Sequence, residues 1–320
     1  MLKKTFVLLI ILLICGLVIT GCTSPAVSQS IANPSTVITS PVPWTLVNPY
    51  PQNGDLSAVW GSSSSDVFAV GQSGTILHFN GKEWSNMSSG TSNWLYAIWG
   101  SSSSDVFSVG QSGTILHFNG KSWSNMSSGS SNWLYAIWGN STSDIFAVGT
   151  GGTILHYNGN VWSNMSSGTP NWLYAIWGSS YSDVFTSGTD GTILHYNGKA
   201  WSMMASGTPN RFYAIWGSSS SDVFTVGEQY DITGDNGNII MHYDGKIWST
   251  MTSGRTTDLS GIWGSSPSAI FAVGTNGSIL FYDGKTWNTI TSSTTNAFNG
   301  IWGNAASDVF IVGQAGYILH

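Results

Sequence analysis

A short sequence motif is repeated seven times along the chain, and this repetition restricts the possible folds more than any other feature. Residues 60–81 read WGSSSSDVFAVGQSGTILHFNG, and residues 99–120 repeat almost the same letters. The Trp-Gly pair that opens each copy recurs every 39 residues, with one interval of 47. Its tryptophans are Trp60, Trp99, Trp138, Trp177, Trp216, Trp263 and Trp302. Such a period is typical of architectures in which one supersecondary unit stacks on the next.

Each unit alternates strand signals with turn signals. The segments LYAIW, DVFAV, TILHF and KEWSNM are short and rich in β-branched and aromatic residues, and Ser- and Gly-rich turns separate them. In six units an Asn-Gly or Asp-Gly pair, such as Asn80-Gly81, lies between the third and fourth segments. This pair predicts a type I′ hairpin turn, which needs positive φ at both central residues. Four antiparallel strands per unit are therefore expected.

The second and third strands of each unit are apolar on both faces, so neighbouring sheets must cover them. Radial stacking of four-stranded sheets makes a β-propeller, for which a unit of about 40 residues is typical, whereas an open β-solenoid uses shorter coils. The seventh unit reaches only its third strand at His320, and the segment around Trp44 can supply the missing fourth strand. We predict an all-β, seven-bladed β-propeller of 39-residue four-stranded blades over residues 44–320, closed by the N-terminal strand at Trp44. A chain truncated at His320 is the alternative.

The repeat IWGSSSSDVFAV, continuing through GTILHYNGK, resembles bacterial β-propeller repeats of the WD40/YVTN-like, Kelch-like and Asp-box (BNR or Ycf48-like) groups. The segment DGKTW at 283–287 is similar to the end of an Asp box, although most units carry Asn in place of its Asp. The resemblance implies a propeller that serves as a binding or scaffolding platform. A ring of blades alone does not name the ligand.

The N-terminal segment has the pattern of a secretory signal. Lys3 and Lys4 precede the apolar run TFVLLIILLICGLVIT, and the following Gly21-Cys22 resembles a bacterial lipobox, in which the cysteine is lipidated. We expect a lipoprotein signal peptide over 1–21, palmitate or a related lipid on Cys22, and a Ser-, Thr- and Pro-rich tether over 22–43. The protein would then be exported and anchored to the membrane of the bacterial cell envelope. An ordinary signal peptide or an uncleaved anchor helix is the alternative.

Composition argues against several classes of function. The formal net charge is −6, and it is near −8 without Lys3 and Lys4, so no basic surface for nucleic acid is expected. The cysteines are Cys15 and Cys22, which leaves the propeller without thiol chemistry. The repeated His and Asp residues are interpreted as structural hydrogen-bonding groups, with His78 and Asp66 as examples. We therefore predict no enzyme activity, no cofactor and no metal site.

Binding residues are expected where the copies differ. Just before the first strand of successive units stand Asp55, Trp94, Trp133, Trp172, Arg211, Asp258 and Ala297. Two residues later stand Ser57, Tyr96, Tyr135, Tyr174, Tyr213, Ser260 and Asn299. About half of this ring is aromatic, and Trp beside Asn suits either stacking on sugar rings or anchoring a protein partner. Duplication of near-identical units could also have copied these tryptophans without a role in binding.

The fifth unit carries eight extra residues between its second and third strands, including Tyr230, Asp231 and Asp235. In an antiparallel blade this insertion lies on the same face as the Trp positions. Its Asp and Asn residues are of the type that ligates calcium, but their spacing departs from that of an EF-hand and fits a solvated loop better. The sequence thus predicts a non-catalytic binding or scaffold module that engages a glycan or a protein through Trp94, Trp133, Trp172, Tyr96, Tyr135, Tyr174, Arg211 and this loop. A Ycf48-like assembly factor and, less favoured, a propeller glycoside hydrolase or lyase are the alternatives.

Overall fold

The computed structural model describes residues 44–47, 54–229, 237–254 and 257–320, all of which lie in one compact unit. The expected signal peptide, Cys22 and tether lie outside these residues, as do Tyr230, Asp231 and Asp235. In the part of the chain that the structure describes, no helix is long and apolar enough to cross a membrane. The described residues form seven antiparallel sheets, one for each repeated unit.

Each sheet is a blade whose strands pair in chain order. The strands of blades 1 to 3 are β1 (Leu56–Ser63), β2 (Asp66–Gly71), β3 (Ile76–Phe79), β4 (Trp84–Met87), β5 (Leu95–Ser102), β6 (Asp105–Gly110), β7 (Ile115–Phe118), β8 (Trp123–Met126), β9 (Leu134–Ser141), β10 (Asp144–Gly149), β11 (Ile154–Tyr157) and β12 (Trp162–Met165). Those of blades 4 and 5 are β13 (Leu173–Ser180), β14 (Asp183–Gly188), β15 (Ile193–Tyr196), β16 (Trp201–Met204), β17 (Arg211–Ser219), β18 (Asp222–Gln229), β19 (Gly237–Tyr243) and β20 (Trp248–Met251).

The last two blades complete the set with β21 (Leu259–Ser266), β22 (Ala269–Gly274), β23 (Ile279–Tyr282), β24 (Trp287–Ile290), β25 (Phe298–Ala305), β26 (Asp308–Gly313) and β27 (Ile318–Leu319). Single turns of 3-10 helix join the second and third strands of five blades, at Gln72–Gly74, Gln111–Gly113, Thr150–Gly152, Thr275–Gly277 and Gln314–Gly316. The first strands of the blades contact one another in sequence, and β25 contacts β1, so the seven blades close into a ring. The predicted seven-bladed β-propeller is confirmed.

The core lies between blades, as the apolar pattern of the second strands requires. Within β2, Val67 and Ala69 pack in a cluster with residues of blade 7 such as Phe310. The alternate residues Phe68 and Val70 pack in a cluster with blade 2. Because successive side chains of a strand point to opposite faces, one strand contributes to two cores. A single blade therefore cannot bury its own apolar surface.

The ring is closed by a strand from the N-terminal side, which confirms the role predicted for the Trp44 segment. The Thr45 N–H donates to the His320 carbonyl at 2.8 Å, and the His320 N–H donates back to the Thr45 carbonyl at 3.0 Å. The Val47 N–H donates to the Ile318 carbonyl at 3.1 Å. Trp44 packs against the core between blades 6 and 7. Blade 7 thus gains its fourth strand from residues about 270 positions earlier in the chain.

The Trp-Gly pair has a clear structural reason. A Cβ added at Gly178 would lie 2.6 Å from Cη2 of Trp138, the tryptophan of the preceding blade, so the indole ring lies directly over the glycine. The same contact joins Trp302 of blade 7 to Gly61 of blade 1. Each unit thus supplies one indole to the next blade and one glycine to the indole of the blade before it.

One local prediction was wrong. Gly81 has the expected positive φ of 86°, but Asn80 is not among the non-glycine residues with positive φ in the described part. Instead, the Asn80 side-chain Oδ1 accepts the backbone N–H groups of Lys82 and Glu83, both at 3.0 Å. The turn is a four-residue loop stabilised by the Asn side chain, because Asn can mimic a backbone acceptor at such positions.

Candidate functional site

The two ends of the blades form two different faces. The turns between β2 and β3 and their equivalents, together with the residues that precede each first strand, define the upper face, because the Gln72 N–H donates to the Asp55 carbonyl at 2.9 Å. The β1–β2 hairpins and the β3–β4 loops, such as Asn80 to Glu83, define the lower face. The Trp positions and the base of the blade 5 insertion share the upper face, since Arg211 pairs with Glu228.

The repeated His and Asp residues form hydrogen-bonded pairs at the lower end of the blades. His78 Nε2 lies 2.7 Å from Asp66 Oδ1, and the imidazole stacks on Phe68 with ring centroids 4.3 Å apart. The Ser62 hydroxyl donates to the other oxygen of Asp66 at 2.5 Å. Equivalent pairs are His117–Asp105, His156–Asp144, His195–Asp183, His242–Asp222 and His320–Asp308. The structural interpretation of these histidines fits this geometry.

This arrangement differs from a nucleophilic triad. In a triad the imidazole lies between Ser and Asp and accepts the hydroxyl proton, whereas here Asp66 lies between Ser62 and His78. The Ser62 hydroxyl therefore hydrogen-bonds to a carboxylate rather than to the imidazole base. Nor does any group of three or more His, Cys, Asp or Glu side chains within the described ranges have a metal-binding arrangement.

The three tryptophans singled out by the sequence lie on the upper face at fixed backbone positions. The backbone N–H of Trp133 donates to Thr150 Oγ1 at 3.1 Å, and that of Trp94 donates to Gln111 Oε1 at 3.0 Å. The indole rings of Trp133 and Trp172 are 41% and 45% exposed, so they are available to a ligand. Trp94 is less exposed, and its indole N–H donates to Ser57 Oγ of blade 1 at 2.7 Å.

The tyrosines form a continuous series of ring contacts across four blades. Tyr96 and Tyr135 have ring centroids 5.2 Å apart, and the next two intervals along the series are 5.0 and 5.3 Å, ending at Tyr213. Trp133 contacts both Tyr96 and Tyr135, at 6.0 and 6.4 Å. We name the whole set the aromatic arc; its members are Trp94, Tyr96, Trp133, Tyr135, Trp172, Tyr174 and Tyr213.

A β-bulge explains how the tyrosines reach one another. The pairing of β5 with β6 shifts between Leu95 and Ala97, so Tyr96 is the extra residue opposite the partner strand. The same shift occurs in the other blades, at Ser57, Tyr174, Ser260 and Asn299 among others. Bulges re-aim side chains, and this one directs the bulged residue toward the neighbouring blade.

The remaining blades use the bulge position for hydrogen bonds. The Asn299 side-chain amide donates to the Leu56 carbonyl of blade 1 at 2.8 Å. The Ser260 hydroxyl donates to the Phe298 carbonyl of blade 7. Ser57 accepts the Trp94 indole N–H, as described above. We name Ser57, Ser260 and Asn299 the polar arc.

A charged cluster ends the aromatic arc at blade 5. The Tyr213 hydroxyl donates to Glu228 Oε2 at 2.7 Å, and Arg211 Nη1 lies 3.7 Å from the same oxygen. Burial and the hydrogen bond to Glu228 raise the pKa of Tyr213 to about 12, and burial raises the pKa of Tyr135 to about 12. Burial and the nearby Glu228 carboxylate also raise the pKa of Asp258 in blade 6. The phenols of Tyr213 and Tyr135 are therefore neutral hydrogen-bonding groups at physiological pH.

The asparagines beside the tryptophans have a different role from the one that the sugar-binding hypothesis gives them. The side-chain amides of Asn93, Asn132 and Asn171 donate to Thr114, Thr153 and Thr192 at 2.7 to 2.8 Å. They hold the connection between blades against the β2–β3 turn. Each of these amides therefore uses at least one N–H donor within the propeller.

The sequence predicted that Trp94, Trp133, Trp172, Tyr96, Tyr135, Tyr174 and Arg211 share one face. The structure places them on that face, where the aromatic rings contact one another and Arg211 lies beside Glu228 and Tyr213. Sequence reasoning missed Glu228, which connects Tyr213 with Arg211, although this is one of only two Glu in the chain. Its position beside the insertion was the available signal. Tyr230, Asp231 and Asp235 remain outside the described residues.

Grooves also lie between the outer parts of neighbouring blades, and they reach Asn93 and Asn132 beside the tryptophans of the aromatic arc. One of about 730 Å³ runs between blades 2 and 3 and is lined mainly by Ser, Gly, Thr and Asn, including Ser130 and Thr169. A similar groove of about 670 Å³ lies one blade earlier. Because their linings come from the repeated loops, these grooves do not distinguish one blade from another.

The fold and the ring of repeated contacts define the chain as a seven-bladed β-propeller. No protein-family model matches the sequence, and no curated protein sequence matches it either. Solved structures do match. Ycf48 bound to a D1 peptide superimposes with a TM-score of 0.71 at 16% identity, covering 90% of this chain and 98% of that chain.

Two further solved structures have the same fold. Ycf48 from Cyanidioschyzon merolae gives a TM-score of 0.68 at 15% identity, over 86% of this chain and 98% of that one. The WD40 β-propeller domain of Doa1 gives 0.71 at 11% identity, over 87% and 96%. This agreement confirms the expected resemblance to Ycf48-like and WD40 propellers at the level of the fold.

Proposed function

We propose that this protein is a non-catalytic β-propeller that binds a protein partner through the aromatic arc of its upper face. The observation that carries the proposal is the exposure of Trp133 and Trp172, at 41% and 45%, on the face where the repeated units differ. Tryptophan and tyrosine dominate the binding energy of protein interfaces, because each buries a large rigid surface at low entropic cost.

The choice of a polypeptide as the ligand has separate support. Ycf48, a propeller of the same fold, has been solved with a peptide bound. Binding a segment of another protein is also the basis of an assembly factor or a scaffold, so both roles are forms of this proposal. No catalytic step is proposed, because the repeated Ser, Asp and His side chains are paired in the blades.

We further propose that the propeller is displayed on the bacterial cell envelope by a lipid on Cys22. The support is the lipobox-like Gly21-Cys22 after an apolar run. Metabolic labelling with a palmitate analogue should label the wild-type protein and leave Cys22→Ser unlabelled. Equal labelling of both proteins would contradict this part of the proposal.

Peptide selection with an arc variant tests the binding proposal. A phage-displayed library of random dodecapeptides is panned on the detergent-solubilised full chain, and the selected peptides are measured by fluorescence anisotropy. The variant Trp133→Ala/Trp172→Ala should weaken them by at least about 30-fold, the effect of losing a major interface residue. Ala297 holds the same position in blade 7, so the fold accepts alanine there.

The matched control is Tyr181→Ser. Tyr181 is a 65% exposed aromatic residue of the lower face, where blade 2 has Ser103. This variant should leave the peptide affinity unchanged. Selected peptides that bind the two variants equally well would contradict the use of the arc.

A glycan is the second candidate, and the flat exposed indoles of Trp133 and Trp172 favour it. Titration with mono- and oligosaccharides separates the two candidates. We expect no change in tryptophan fluorescence. Saturable quenching that disappears in Trp133→Ala/Trp172→Ala would favour the glycan over the protein.

A further inference from the structure

Cationic side chains are distributed unequally between the two faces of the described propeller. Every lysine of the described part lies in a loop between the third and fourth strands, on the lower face; these are Lys82, Lys121, Lys199, Lys246 and Lys285. The described acidic groups of the upper face are Asp55, Asp190, Glu228 and Asp258, and Arg211 is the one cationic side chain there within the described ranges. The described upper face, with four carboxylates and one guanidinium, is therefore negative. The lower face is also negative, because nine carboxylates accompany its five lysines, so the arc face differs in its scarcity of cations.

Arg211 does not neutralise this face, because its charge is directed to one carboxylate. Glu228 receives both the Arg211 guanidinium, at 3.7 Å, and the Tyr213 hydroxyl, at 2.7 Å. Asp258 holds the position equivalent to Arg211 in the next blade, and the first strands of the two blades are in contact. No hydrogen bond or ion pair to the Asp258 carboxylate is present among the described residues. Burial and Glu228 raise its pKa, as expected for a carboxylate with a like charge nearby.

The aromatic arc adds to the attraction for a cation. The faces of Tyr and Trp rings carry negative electrostatic potential, and they bind ammonium and guanidinium groups within about 6 Å of the ring centre. Tyr213 and Tyr174 end the arc beside Glu228, with ring centroids 5.3 Å apart. Carboxylates and aromatic faces thus meet at one end of the arc, whereas the exposed indoles of Trp133 and Trp172 lie farther along it.

We propose that the partner segment is an extended polypeptide that carries a lysine or arginine flanked by apolar side chains. The cation binds at the end of the arc formed by Tyr213, Glu228 and Asp258, and the apolar side chains pack on Trp133 and Trp172. This inference rests on the proposed function, to which it adds the chemistry of the partner. Charge complementarity selects this occupant, because an acidic segment would meet four carboxylates and one already paired guanidinium.

The peptides selected on the full chain provide the probe. Among those that lose affinity for Trp133→Ala/Trp172→Ala, lysine and arginine should be enriched over the starting library. Replacing the basic residue of a selected peptide by norleucine should weaken binding about fivefold, the size of one partly exposed ion pair. The variant Asp258→Asn should weaken the basic peptide by a similar factor and leave the norleucine peptide unaffected.

The control variant is Asp283→Asn, which removes one negative charge from the lower face. Four other blades have Asn at this turn position, so the loop is preserved. It should leave the affinity of both peptides unchanged. Raising the salt concentration should weaken the basic peptide on wild type more than on Asp258→Asn, because screening acts on the charge pair.

The outcomes separate this inference from the function on which it rests. Arc-dependent peptides without basic enrichment, or with acidic enrichment, would overturn the cationic partner and leave the protein-binding proposal in place. Equal effects of Asp258→Asn and Asp283→Asn would also overturn it. The absence of any arc-dependent peptide would overturn the protein-binding proposal itself.

Discussion

Neighbouring blades are joined by different contacts at their lower ends and on the upper face. At the lower end the Trp-Gly contact is repeated around the whole ring, from Trp60 over Gly100 to Trp302 over Gly61. On the upper face the bulge position holds a ring contact in some blades and a hydrogen bond to backbone in others, as at Tyr135 and Asn299. The uniform end therefore determines the fold, and the variable end is free to carry binding.

The two arcs of the upper face sharpen this comparison. In the polar arc, the Asn299 amide satisfies a carbonyl of the next blade, so the position contributes to closure of the ring. In the aromatic arc, the tyrosines contact one another but remain partly exposed, and Trp133 and Trp172 extend beyond them. A ring that can be joined by serine or asparagine does not need these aromatic residues for folding alone.

The largest expected effect is at the lower end. In Gly178→Val the new Cβ would lie 2.6 Å from the rigid Trp138 ring, so the indole or the strand must move. We expect the free energy of unfolding to fall by about 3 kcal/mol, the upper part of the range for overpacked cores. Urea denaturation checks this value. Trp172→Ala on the upper face should cost less than about 1 kcal/mol, and a larger loss there would remove the distinction between the two ends.

The next effect concerns closure of the ring. Trp44→Ala removes a half-buried indole from the core between blades 6 and 7 and should lower the free energy of unfolding by about 2 kcal/mol. The control is Trp84→Ala at the equivalent place in blade 1, where the indole is 7% exposed and the loss should be about 3 kcal/mol or more. A negligible effect of Trp44→Ala would argue against a closing role for this strand.

A smaller effect is expected in the polar arc. Asn299→Ala leaves the Leu56 carbonyl without the amide donor that lies at 2.8 Å and should lower the free energy of unfolding by about 1 kcal/mol. Peptide affinity should not change, because the side chain is directed to the next blade. Loss of peptide binding without loss of stability would place the polar arc in the binding surface.

The smallest effect is a pH dependence to which the aromatic arc contributes. Burial raises the pKa of Tyr135 to about 12 in the folded protein, against about 10 when unfolded. The raised value stabilises the fold fully below pH 10, and this contribution is lost as the pH rises toward 12. Thermal unfolding at pH 9 and pH 11.5 should show a smaller decrease in Tm for Tyr135→Phe than for wild type. An identical decrease would contradict burial of this phenol.

The fold could be predicted from the sequence because every unit repeats the same pattern of strand and turn residues. The apolar alternation of Val67, Phe68, Ala69 and Val70 required covering sheets on both sides, and the unmatched Trp44 indicated how the ring closes. The predicted turn type at Asn80 was wrong, because the preference of Asn-Gly pairs for type I′ turns does not show which backbone groups the Asn side chain will bind. Local patterns predict strands more securely than the conformation of turns.

The candidate site was predicted only in part. Differences among the copies pointed to the aromatic residues, but not to the contact of Tyr96 with Tyr135, which depends on the angle between blades and on the bulge. The hydrogen bond from the Asn132 amide to the Thr153 hydroxyl could not be predicted from the sequence either. The two residues meet only because of the path that the connection between blades takes. The role of Glu228 arises from the lengthened hairpin of blade 5. Such contacts between elements require coordinates.

The contact of each indole with the glycine of the following blade also has an evolutionary consequence. Every unit contains both the tryptophan and the glycine of this contact. A unit copied in tandem therefore forms the contact with both of its neighbours without any change in them. This interchangeability explains how blades as alike as the second, third and fourth can coexist in one ring. The same interchangeability favours domain swapping, because the tryptophan of a blade in one molecule is complementary to the glycine of a blade in another. Chains whose rings have not yet closed can therefore exchange blades and form oligomers.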